Sequence, residues 1–529
     1  MPTYLTPGVY VEEIPAANKP IEGVGTAVAA FVGLAPGGPI NTPMRISNWT
    51  QFAKEFSDPT NPDNGPFMEG AYLAHSVYGF FQNGGSLAWI IRVGSEAGTP
   101  VAQALLPAAI GDGVEALRAV AREGVVGQVT VEVTEDVKPG GGAEDAGGDE
   151  GAAKDAGEPT FTVTVSQGTT REEYPGLTLK KGRNNVATKV NASSKLVQLT
   201  ETGGAIADTG LATGSFTLSA PAVSAGSLTA ADFEGDVARR RGLGGLAALD
   251  EVTMLVMPDL MTLSTNGDGA QVRDLQGKMI AHCENAGDRM AILDAPPDLL
   301  PQDILDWRMN TAGYDSKMSA LYYPWIEVMD PLTSRPMLLP PSGHVAGAWC
   351  RVDATRGVHK APANEVLLGV NGLGFQVSQA EQGQLNKSGI NCIRSFPGRG
   401  IRIWGARTLS SDPEWRYINV RRLFNYVAES IMEGTQWSVF EPNDATLWTS
   451  LRISASNFLM RTWRSGALFG ATPGQAFYVK CDAETNPPDV VEAGQVVCEI
   501  GIAPVKPAEF VIFRLSQYTG GGSEAEVAE

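Results

Sequence analysis

The chain has 529 residues, of which 43% are hydrophobic and 19% charged, and its formal net charge is −19 with a pI near 4.8. This composition is typical of a globular protein, and at roughly 100–200 residues per domain the length predicts about three domains. Because the chain is strongly acidic, it excludes nucleic-acid or anionic-membrane binding over the whole surface. Any anionic partner would have to meet a local basic patch.

The cysteines and the N-terminal sequence indicate where the chain folds. The five cysteines are scattered and lack the spacing of metal ligands, so we expect reduced thiols and no metal site. The opening sequence MPTYLTPGVYVEEIP lacks a basic segment followed by an apolar run, and no apolar stretch approaches the roughly 20 residues that span a bilayer. We therefore expect assembly in the cytoplasm without a signal peptide and without membrane insertion.

The sequence predicts an α/β (α+β) multidomain fold that begins with an extended N-terminal arm at residues 1–22. Four prolines oppose a helix there, whereas one run favours a strand: Val9, Tyr10, Val11 and Glu12. Buried strand patterns alternate with helix patterns over residues 23–93 and again over residues 236–385. This alternation predicts one split α/β domain.

Residues 94–235, between the two halves, are predicted to be an inserted β-rich, surface-exposed domain. The segment is rich in Ala, Gly, Thr and Val, and alternating patterns indicate strands at VTVEVTEDV, TFTVTVSQ, KLVQLTET and GSFTLSA. The acidic, glycine-rich stretch over residues 138–159 contains no large apolar residue, so we expect a mobile, solvated loop there.

Residues 386–506 are predicted to form a C-terminal α+β domain. Within it, a strand and a turn precede a long helix that we expect to begin at Ser410–Pro413 and to end at Gly434. A second long helix is predicted to begin at Asn443 or Asp444 and to end at Gly466, followed by the strand patterns FYVKCD and VVCEIGIAPV.

Two strand patterns at the chain ends have no partner nearby in the sequence. One is the run from Val9 to Glu12, and the other lies in the predicted C-terminal arm and disordered tail at residues 507–529: Phe510, Val511, Ile512 and Phe513. Their backbone groups require a sheet edge. They either pair within the chain or are donated to neighbouring copies, and head-to-tail donation that does not close generates a helical filament.

No pattern in the sequence marks a catalytic or cofactor site. The four histidines, at positions 75, 282, 344 and 359, are never spaced to aim two imidazoles at one metal, so we expect structural or surface roles. Four carboxylates follow a predicted strand, where α/β sheets bind ligands: Asp294, Asp298, Asp303 and Asp306. Helix capping and solvation explain them better than a carboxylate site.

Arginine is concentrated in the C-terminal region. The segment between Asn391 and Gly470 contains ten arginines and six acidic residues, which gives it a net charge of +4. On the second long helix we single out Arg452, Arg461 and Arg464. They form either a solvated face or a docking surface for an acidic protein partner. Nucleic-acid binding is the third alternative, but exposed aromatic residues between the basic ones are missing.

The chain resembles the contractile tail sheath proteins of myophages and of phage-tail-like contractile injection systems. The resemblance rests on long blocks in consistent order: PGVYVEE, GVGTAVAAFVGLAPGGP, ALYYPWIEVMDP, PPSGHVAGAWCRVDATRGVHKAPAN, LNKSGINCIRSFPGRGIRIWGARTLSSDPEWRYINVRRL, FEPNDATLW and APVKPAEFVIFRL. These blocks cover most of the chain outside the inserted segment.

The resemblance implies a structural subunit with no active site and no cofactor. Such subunits form stacked hexameric rings around an inner tube, and their two terminal arms complete a sheet in neighbouring subunits. The implied partners are other copies of the chain, the inner tube protein, and baseplate and cap or terminator proteins, with no direct nucleic-acid contact. The C-terminal domain would face the tube, which makes Arg452, Arg461 and Arg464 hypothetical tube contacts.

The resemblance leaves two alternatives within the family and one outside it. The sheath could belong to a virion tail or to a headless bacterial injection device. An α/β enzyme with an unidentified site is the remaining alternative, and it would need a polar pocket.

Overall fold

The computed structural model describes residues 20–58, 65–94, 103–109, 115–122, 129–136, 160–201, 211–218, 229–266 and 269–514. Contacts divide the chain into a large unit, Gly25–Ala354 with Ala363–Ser410, and a small unit, Met1–Val24 with Thr355–Pro362 and Ser411–Glu529. The predicted arm strand at residues 9–12 and the predicted acidic loop at residues 138–159 lie outside the described residues.

The strands are, in chain order, β1 (Val28–Gly33), β2 (Met44–Ile46), β3 (Leu87–Arg92), β4 (Gln103–Pro107), β5 (Glu115–Ala121), β6 (Thr130–Glu135), β7 (Phe161–Gln167), β8 (Thr170–Leu177), β9 (Val197–Glu201), β10 (Gly214–Thr217), β11 (Met254–Val256), β12 (Met290–Asp294), β13 (Ser319–Tyr323), β14 (Ile326–Met329), β15 (Pro336–Leu339), β16 (Glu365–Val366), β17 (Gly372–Leu373), β18 (Ile390–Phe396), β19 (Gly400–Ile403), β20 (Phe477–Lys480) and β21 (Glu499–Ile502). The α-helices are α1 (Trp49–Phe56), α2 (Leu73–Gln82), α3 (Val186–Ser193), α4 (Ala230–Glu234), α5 (Ala270–Ala286), α6 (Pro301–Asp306), α7 (Ser342–Arg356), α8 (Gln379–Lys387), α9 (Ile418–Thr435), α10 (Ala445–Arg464), α11 (Pro473–Ala476) and α12 (Pro488–Glu492).

A nine-stranded sheet forms the centre of the large unit, in the order β16-β19-β18-β13-β12-β11-β1-β3-β2. The six strands from β18 to β3 pair in parallel, and β2, β19 and β16 add antiparallel edges. Every residue of β1, β12 and β13 is buried, as expected for parallel strands covered on both faces. The alternating strands and helices of the sequence therefore do form an α/β layer.

Helix α7 was not predicted, because its sequence shows little periodicity. Residues from Ser342 to Cys350 are all buried, so the helix has no polar face in that part. Gly343 and Gly347 allow close approach to α2, since a Cβ at either glycine would collide with the backbone of Ser76 or Phe80. The small residues that weaken the helical pattern in the sequence also allow α7 to pack closely against α2.

The inserted segment has a hydrophobic core of its own. The predicted strands form, as β6, β7, β9 and β10, and they belong to two antiparallel sheets with the orders β10-β6-β7-β8 and β4-β5-β9. The insertion ends earlier than the predicted residue 235, because α4 places the fully buried Phe233 in the core of the central sheet.

The domain boundary predicted between residues 385 and 386 would divide the large unit within α8, just before strand β18 of the central sheet. Strand β18 pairs in parallel with β13, and Ile390 and Cys392 are buried in the core of the large unit. Strand β19 then pairs back onto β18. The contact boundary falls instead between Ser410 and Ser411. Although β18 and β19 directly precede the long helix in the sequence, they pair with the central sheet and so belong to the large unit.

The small unit is built on α9 and α10 together with the two-stranded sheet β20-β21. The predicted start of the first long helix was wrong, whereas its predicted end at Gly434 lies one residue before the observed end at Thr435. Asp412 caps only the short turn Pro413–Trp415, and α9 begins at Ile418. Gly434 lies inside α9, where a Cβ would come within 2.9 Å of the buried Ile21. The predicted start of the second helix was right, since Asp444 accepts hydrogen bonds from the amides of Thr446 and Leu447.

No helix in the described ranges is long and apolar enough to cross a membrane.

Two glycine-to-alanine substitutions in helices should have opposite effects on stability. Gly434→Ala should destabilise the small unit by about 1–3 kcal/mol, because the new methyl group overpacks against Ile21. Gly277→Ala in α5 meets no atom within 4 Å and should stabilise the large unit by up to about 1 kcal/mol through helix propensity. Thermal unfolding followed by circular dichroism measures both. Equal effects of the two substitutions would contradict the packing of Ile21 against α9.

Candidate functional site

The sheet β20-β21 in the small unit is small and one-sided. Its register pairs Phe477 with Ile502 and Val479 with Ile500, and these four side chains pack on the core of the unit. On the other face, the Tyr478 hydroxyl donates to Glu499 at 2.9 Å. Among the described residues each strand has a single hydrogen-bonded neighbour strand. Within the described residues, the Phe477 amide donates to the carbonyl of Pro473, and Pro504, just beyond β21, is bridged to Leu468. Apart from these contacts, the outer edges of the two strands are open to further strands.

The C-terminal arm is exposed in the structure. Phe510, Val511, Ile512 and Phe513 are between 70% and 84% exposed. The strand predicted for this segment is not formed within the chain, since residues 507–514 belong to no sheet. The Tyr417 hydroxyl donates to Glu509 at 3.1 Å and fixes the root of the arm. Four consecutive large apolar side chains in solvent are typical of a segment that is covered by a partner.

The root of the N-terminal arm is also fixed. Ile21 is fully buried in the core of the small unit, and the amide of Val24 donates to Ser430 at 3.1 Å. The Arg461 guanidinium donates to the carbonyl of Ile21. The chain that leads to the predicted arm strand is thus anchored on α9 and α10.

The three singled-out arginines do not share one face of α10. Arg461 and Arg464 are exposed in the last turn, whereas Arg452 is half-buried and, nine residues earlier, points half a turn away from Arg461. Arg461 already contacts Ile21. The Arg464 guanidinium has neither a hydrogen bond nor an ion pair with any residue that the structure describes.

Several other arginines of the basic segment serve the fold. The Arg421 guanidinium lies 4.4 Å from the Trp415 ring centroid and donates to Asn425 at 2.8 Å. Burial lowers the pKa of Arg421 to about 10. Arg402 donates to the carbonyl and side chain of Asn364. The excess of arginine in the sequence is therefore divided among packing, loop bracing and exposed positions.

The carboxyl edge of the central sheet was the best place for a ligand. The direction of chain progression reverses between β1 and β11, where open α/β sheets bind ligands. Asp259 lies there fully buried and accepts hydrogen bonds from the amides of Leu34, at 2.6 Å, and Tyr72. Burial raises the pKa of Asp259 to about 6, although these amides oppose the shift. This carboxylate ties β1 to the start of α2.

The predicted carboxylates have capping and surface roles. Asp294 is buried at the end of β12 and accepts from the amide of Ser342 at 2.8 Å and from its hydroxyl, which caps α7. Asp303 lies in the first turn of α6, and Asp306 accepts from the Asn310 side chain at 2.6 Å. Asp298 is in the left-handed region with φ of 57°. These positions match the capping interpretation.

The four histidines contact different groups of the protein. His75 faces Asp330 at 3.3 Å, and His282 lies 3.4 Å from the Arg289 guanidinium. His344 is buried in α7, which lowers its pKa to about 3, and the carbonyl of His359 accepts from Asn419 at 2.7 Å. Within the described ranges no group of three His, Cys, Asp or Glu side chains could hold a metal ion.

Sequence reasoning missed the anchoring role of Ile21 and Asp259. The signal for Ile21 was Gly434, since an isolated glycine inside a helical pattern often marks a close approach. Asp259 stands directly after a strand pattern and a proline, a position that helix capping explains equally well.

Two domain families match the chain. The family model for the phage tail sheath protein central domain matches residues 242–409, and that for the phage tail sheath C-terminal domain matches residues 410–517. Together they cover just over half of the 529 residues. Their shared boundary coincides with the contact boundary between Ser410 and Ser411 to within one residue.

Curated relatives are tail sheath proteins. The tail sheath protein of Burkholderia phage BcepMu is 31% identical over 36% of this chain and 40% of its own length. That of Salmonella phage ViI is 27% identical over 38% of this chain and 32% of its own length. A putative prophage major tail sheath protein of Pseudomonas aeruginosa is 26% identical over 43% and 57%. The alignments thus span between about a third and just over half of these relatives.

Solved structures share the fold over nearly the whole chain. The cryo-EM structure of the anti-feeding prophage baseplate matches with a TM-score of 0.57 and 23% identity, covering 98% of this chain and 100% of that one. The sheath complex of an extracellular contractile injection system, PVC, in its contracted state matches with a TM-score of 0.57 and 22% identity, covering 98% and 99%.

The buried carboxylate Asp294 should make stability fall as pH rises. Burial raises its pKa to about 7 from an ordinary value of 3.8, so between these values the folded state holds a proton that the unfolded state has released. The free energy of unfolding should therefore decrease with rising pH, by about 1.4 kcal/mol per pH unit. Asp294→Asn should remove this component, because the amide can accept from and donate to Ser342.

Urea unfolding at a series of pH values between about 4 and 7 measures this slope. Asp303→Asn, at an exposed acid in α6, controls for the loss of one negative charge. An unchanged slope in Asp294→Asn would contradict the assignment.

Proposed function

This chain belongs to the phage tail sheath family, and on that premise we propose that it is the structural subunit of a contractile sheath. The subunit polymerises as stacked hexameric rings around an inner tube, and contraction drives the tube through a target envelope. The observation that carries the proposal is an open-edged two-stranded sheet in a unit that also bears an exposed apolar arm.

The exposed arm and the open sheet are complementary. An extended strand places Phe510 and Ile512 on one face and Val511 and Phe513 on the other. Adding this strand to the β20-β21 sheet of a neighbouring copy would supply backbone hydrogen bonds and cover apolar side chains. The N-terminal run from Val9 to Glu12 is proposed to occupy the other edge. Each subunit would donate two arms and receive two arms from neighbouring copies. It would thus be linked to several other subunits.

Anchored arms suit a contractile assembly. Ile21 and Glu509 fix the two arm roots to the same small unit, so a pull on either arm is transmitted to a packed core. Large units can then rearrange while the arm linkages persist. The energy for contraction would be stored in the extended assembly, and this chain would need neither a nucleotide nor an active site.

We assign the side of the small unit that carries the end of α10 to the inner tube. Arg464 is the leading tube contact, because its guanidinium is exposed and has no ion-pair partner among the described residues. Arg461 would contribute beside it while holding Ile21. Arg452 would lie at the edge of the proposed tube contact, because it projects from another side of α10. The other proposed partners are baseplate and cap or terminator proteins.

The proposal covers both a virion tail and a headless injection particle. Phage tail sheath proteins and the anti-feeding prophage and PVC structures all match the chain. Of the carboxylates weighed for an enzyme site, Asp294 is hydrogen-bonded to the backbone and side chain of Ser342 inside the fold, which supports the structural alternative.

Loss of the C-terminal arm's apolar face should abolish polymerisation but not folding. The double substitution Phe510→Ser with Ile512→Ser removes large side chains that contribute nothing to the core of the free chain. We expect wild-type chain, co-expressed with its inner tube protein, to form striated tubes in negative-stain electron microscopy, and the variant to remain small and folded. Deletion of residues 1–19, which retains Ile21, should have the same effect.

The matched control is Phe440→Ser, since Phe440 is equally apolar and fully exposed on the small unit but outside the arm. It should still form tubes. Striated tubes from the arm variant would refute arm-linked assembly.

Charge reversal at Arg464 should weaken tube binding selectively. Arg464→Glu should cost about 1–2 kcal/mol per subunit, seen as less inner tube protein co-sedimenting with the sheath at low salt. Arg171→Glu makes the same charge change at an exposed position of the inserted segment and should leave binding unchanged. Normal tube co-sedimentation by Arg464→Glu would contradict the assigned face.

A further inference from the structure

Two of the five cysteines face each other across the β20-β21 hairpin. Lys480 is the partner of Glu499 at the last paired position, and extending this register by one residue places Cys481 opposite Cys498. The two thiols lie within hydrogen-bonding distance of each other. The same row contains the pairs Phe477–Ile502 and Val479–Ile500. Because side chains alternate between faces, both thiols point to the core side of the sheet.

The hydrogen-bond pattern makes this position suitable for a disulfide. The amide of Ala503 donates to the carbonyl of Ala476 at 2.8 Å, one position beyond the Phe477–Ile502 pair. Bonded and non-bonded pairs alternate along an antiparallel ladder, so Cys481 and Cys498 fall on a non-bonded pair with Cα atoms about 4.5 Å apart. That separation lies within the range that a disulfide bridges.

The surroundings of the two thiols differ. Cys481 is 1% exposed and packs with Leu447 and Leu451 of α10, while Cys498 is half-buried at the rim of the same cluster. A small molecule can therefore approach Cys498, and Cys481 is held beside it. The other cysteines, Cys283, Cys350 and Cys392, are buried in the large unit.

We propose that Cys481 and Cys498 form a disulfide by exchange with a low-molecular-weight disulfide such as oxidised glutathione. The Cys498 thiolate attacks one sulfur and releases the first small thiolate, leaving a mixed disulfide on Cys498. The Cys481 thiolate then displaces the second small thiolate and closes the protein disulfide. The two cysteine protons pass to the two released thiolates, so one small disulfide is reduced to two thiols.

The exchange is slow at neutral pH and fast in alkali. Burial beside Cys481 raises the pKa of Cys498 to about 12, so the attacking thiolate is scarce near pH 7. A reducing cytosol would keep both thiols free during assembly, and oxidising surroundings would close the bond slowly afterwards.

The disulfide would staple the hairpin that receives the arms. It would close the loop of residues 482–497 and hold β20 against β21 when neighbouring arms pull on the outer edges. This consequence rests on the proposed sheath function, whereas formation of the bond in the free chain does not.

The test is a thiol count on the full-length chain. After incubation with oxidised glutathione at about pH 9, unreacted glutathione is removed and thiols are titrated in denaturant. We expect the count to fall from five to three. Trypsin should release both cysteines in one peptide, because cleavage follows Lys480 and Arg514 and is blocked at Lys506 by Pro507. That peptide should be lighter by two hydrogen atoms and resist alkylation.

Cys498→Ser and Cys481→Ser are the matched controls. Cys481→Ser should stop at a glutathione adduct on Cys498, and Cys498→Ser should retain its four thiols. Oxidation should raise the thermal midpoint of the wild type by about 5 °C, reversibly with dithiothreitol, and leave that of Cys498→Ser unchanged.

Three results would overturn the proposal: a wild-type count that stays at five, a glutathione adduct that persists on Cys498, or bonds between chains in place of the internal one. The thiol count does not depend on polymerisation, so failure of the disulfide and failure of the sheath function are distinguishable.

Discussion

Unpaired backbone groups at a sheet edge are the constraint on which the organisation of this molecule depends. The sheet β20-β21 has one apolar face on the core and two open edges, and a strand edge in water is a template for another strand. In the same unit, Phe510 to Phe513 extend into solvent with no strand partner among the described residues. In the proposed assembly, arms from other copies would satisfy these backbone groups and cover these apolar side chains.

The large unit is organised around its central parallel strands. Its sheet is buried on both faces, and the carboxyl edge, where α/β sheets commonly bind ligands, is closed by Asp259 and Asp294. Each carboxylate is buried at the cost of a raised pKa and is hydrogen-bonded to the start of a helix. Both carboxylates therefore join strands of the sheet to helices.

Close packing through glycine recurs where elements must approach. Gly343 and Gly347 bring α7 against α2, and Gly434 brings α9 against Ile21. At the second contact, the buried Ile21 side chain and the Arg461 guanidinium, which donates to the carbonyl of Ile21, hold the chain at residue 21 to α9 and α10.

The sequence by itself determined the alternating α/β pattern and the cap at Asp444, because each depends on near neighbours in the chain. It did not reveal α7, whose buried small residues lack periodicity. Only the tertiary structure decided that β18 and β19 belong to the central sheet and that Cys481 meets Cys498. Those outcomes depend on contacts between separate segments of the chain. The local spacing of residues does not determine which strand or side chain lies opposite another.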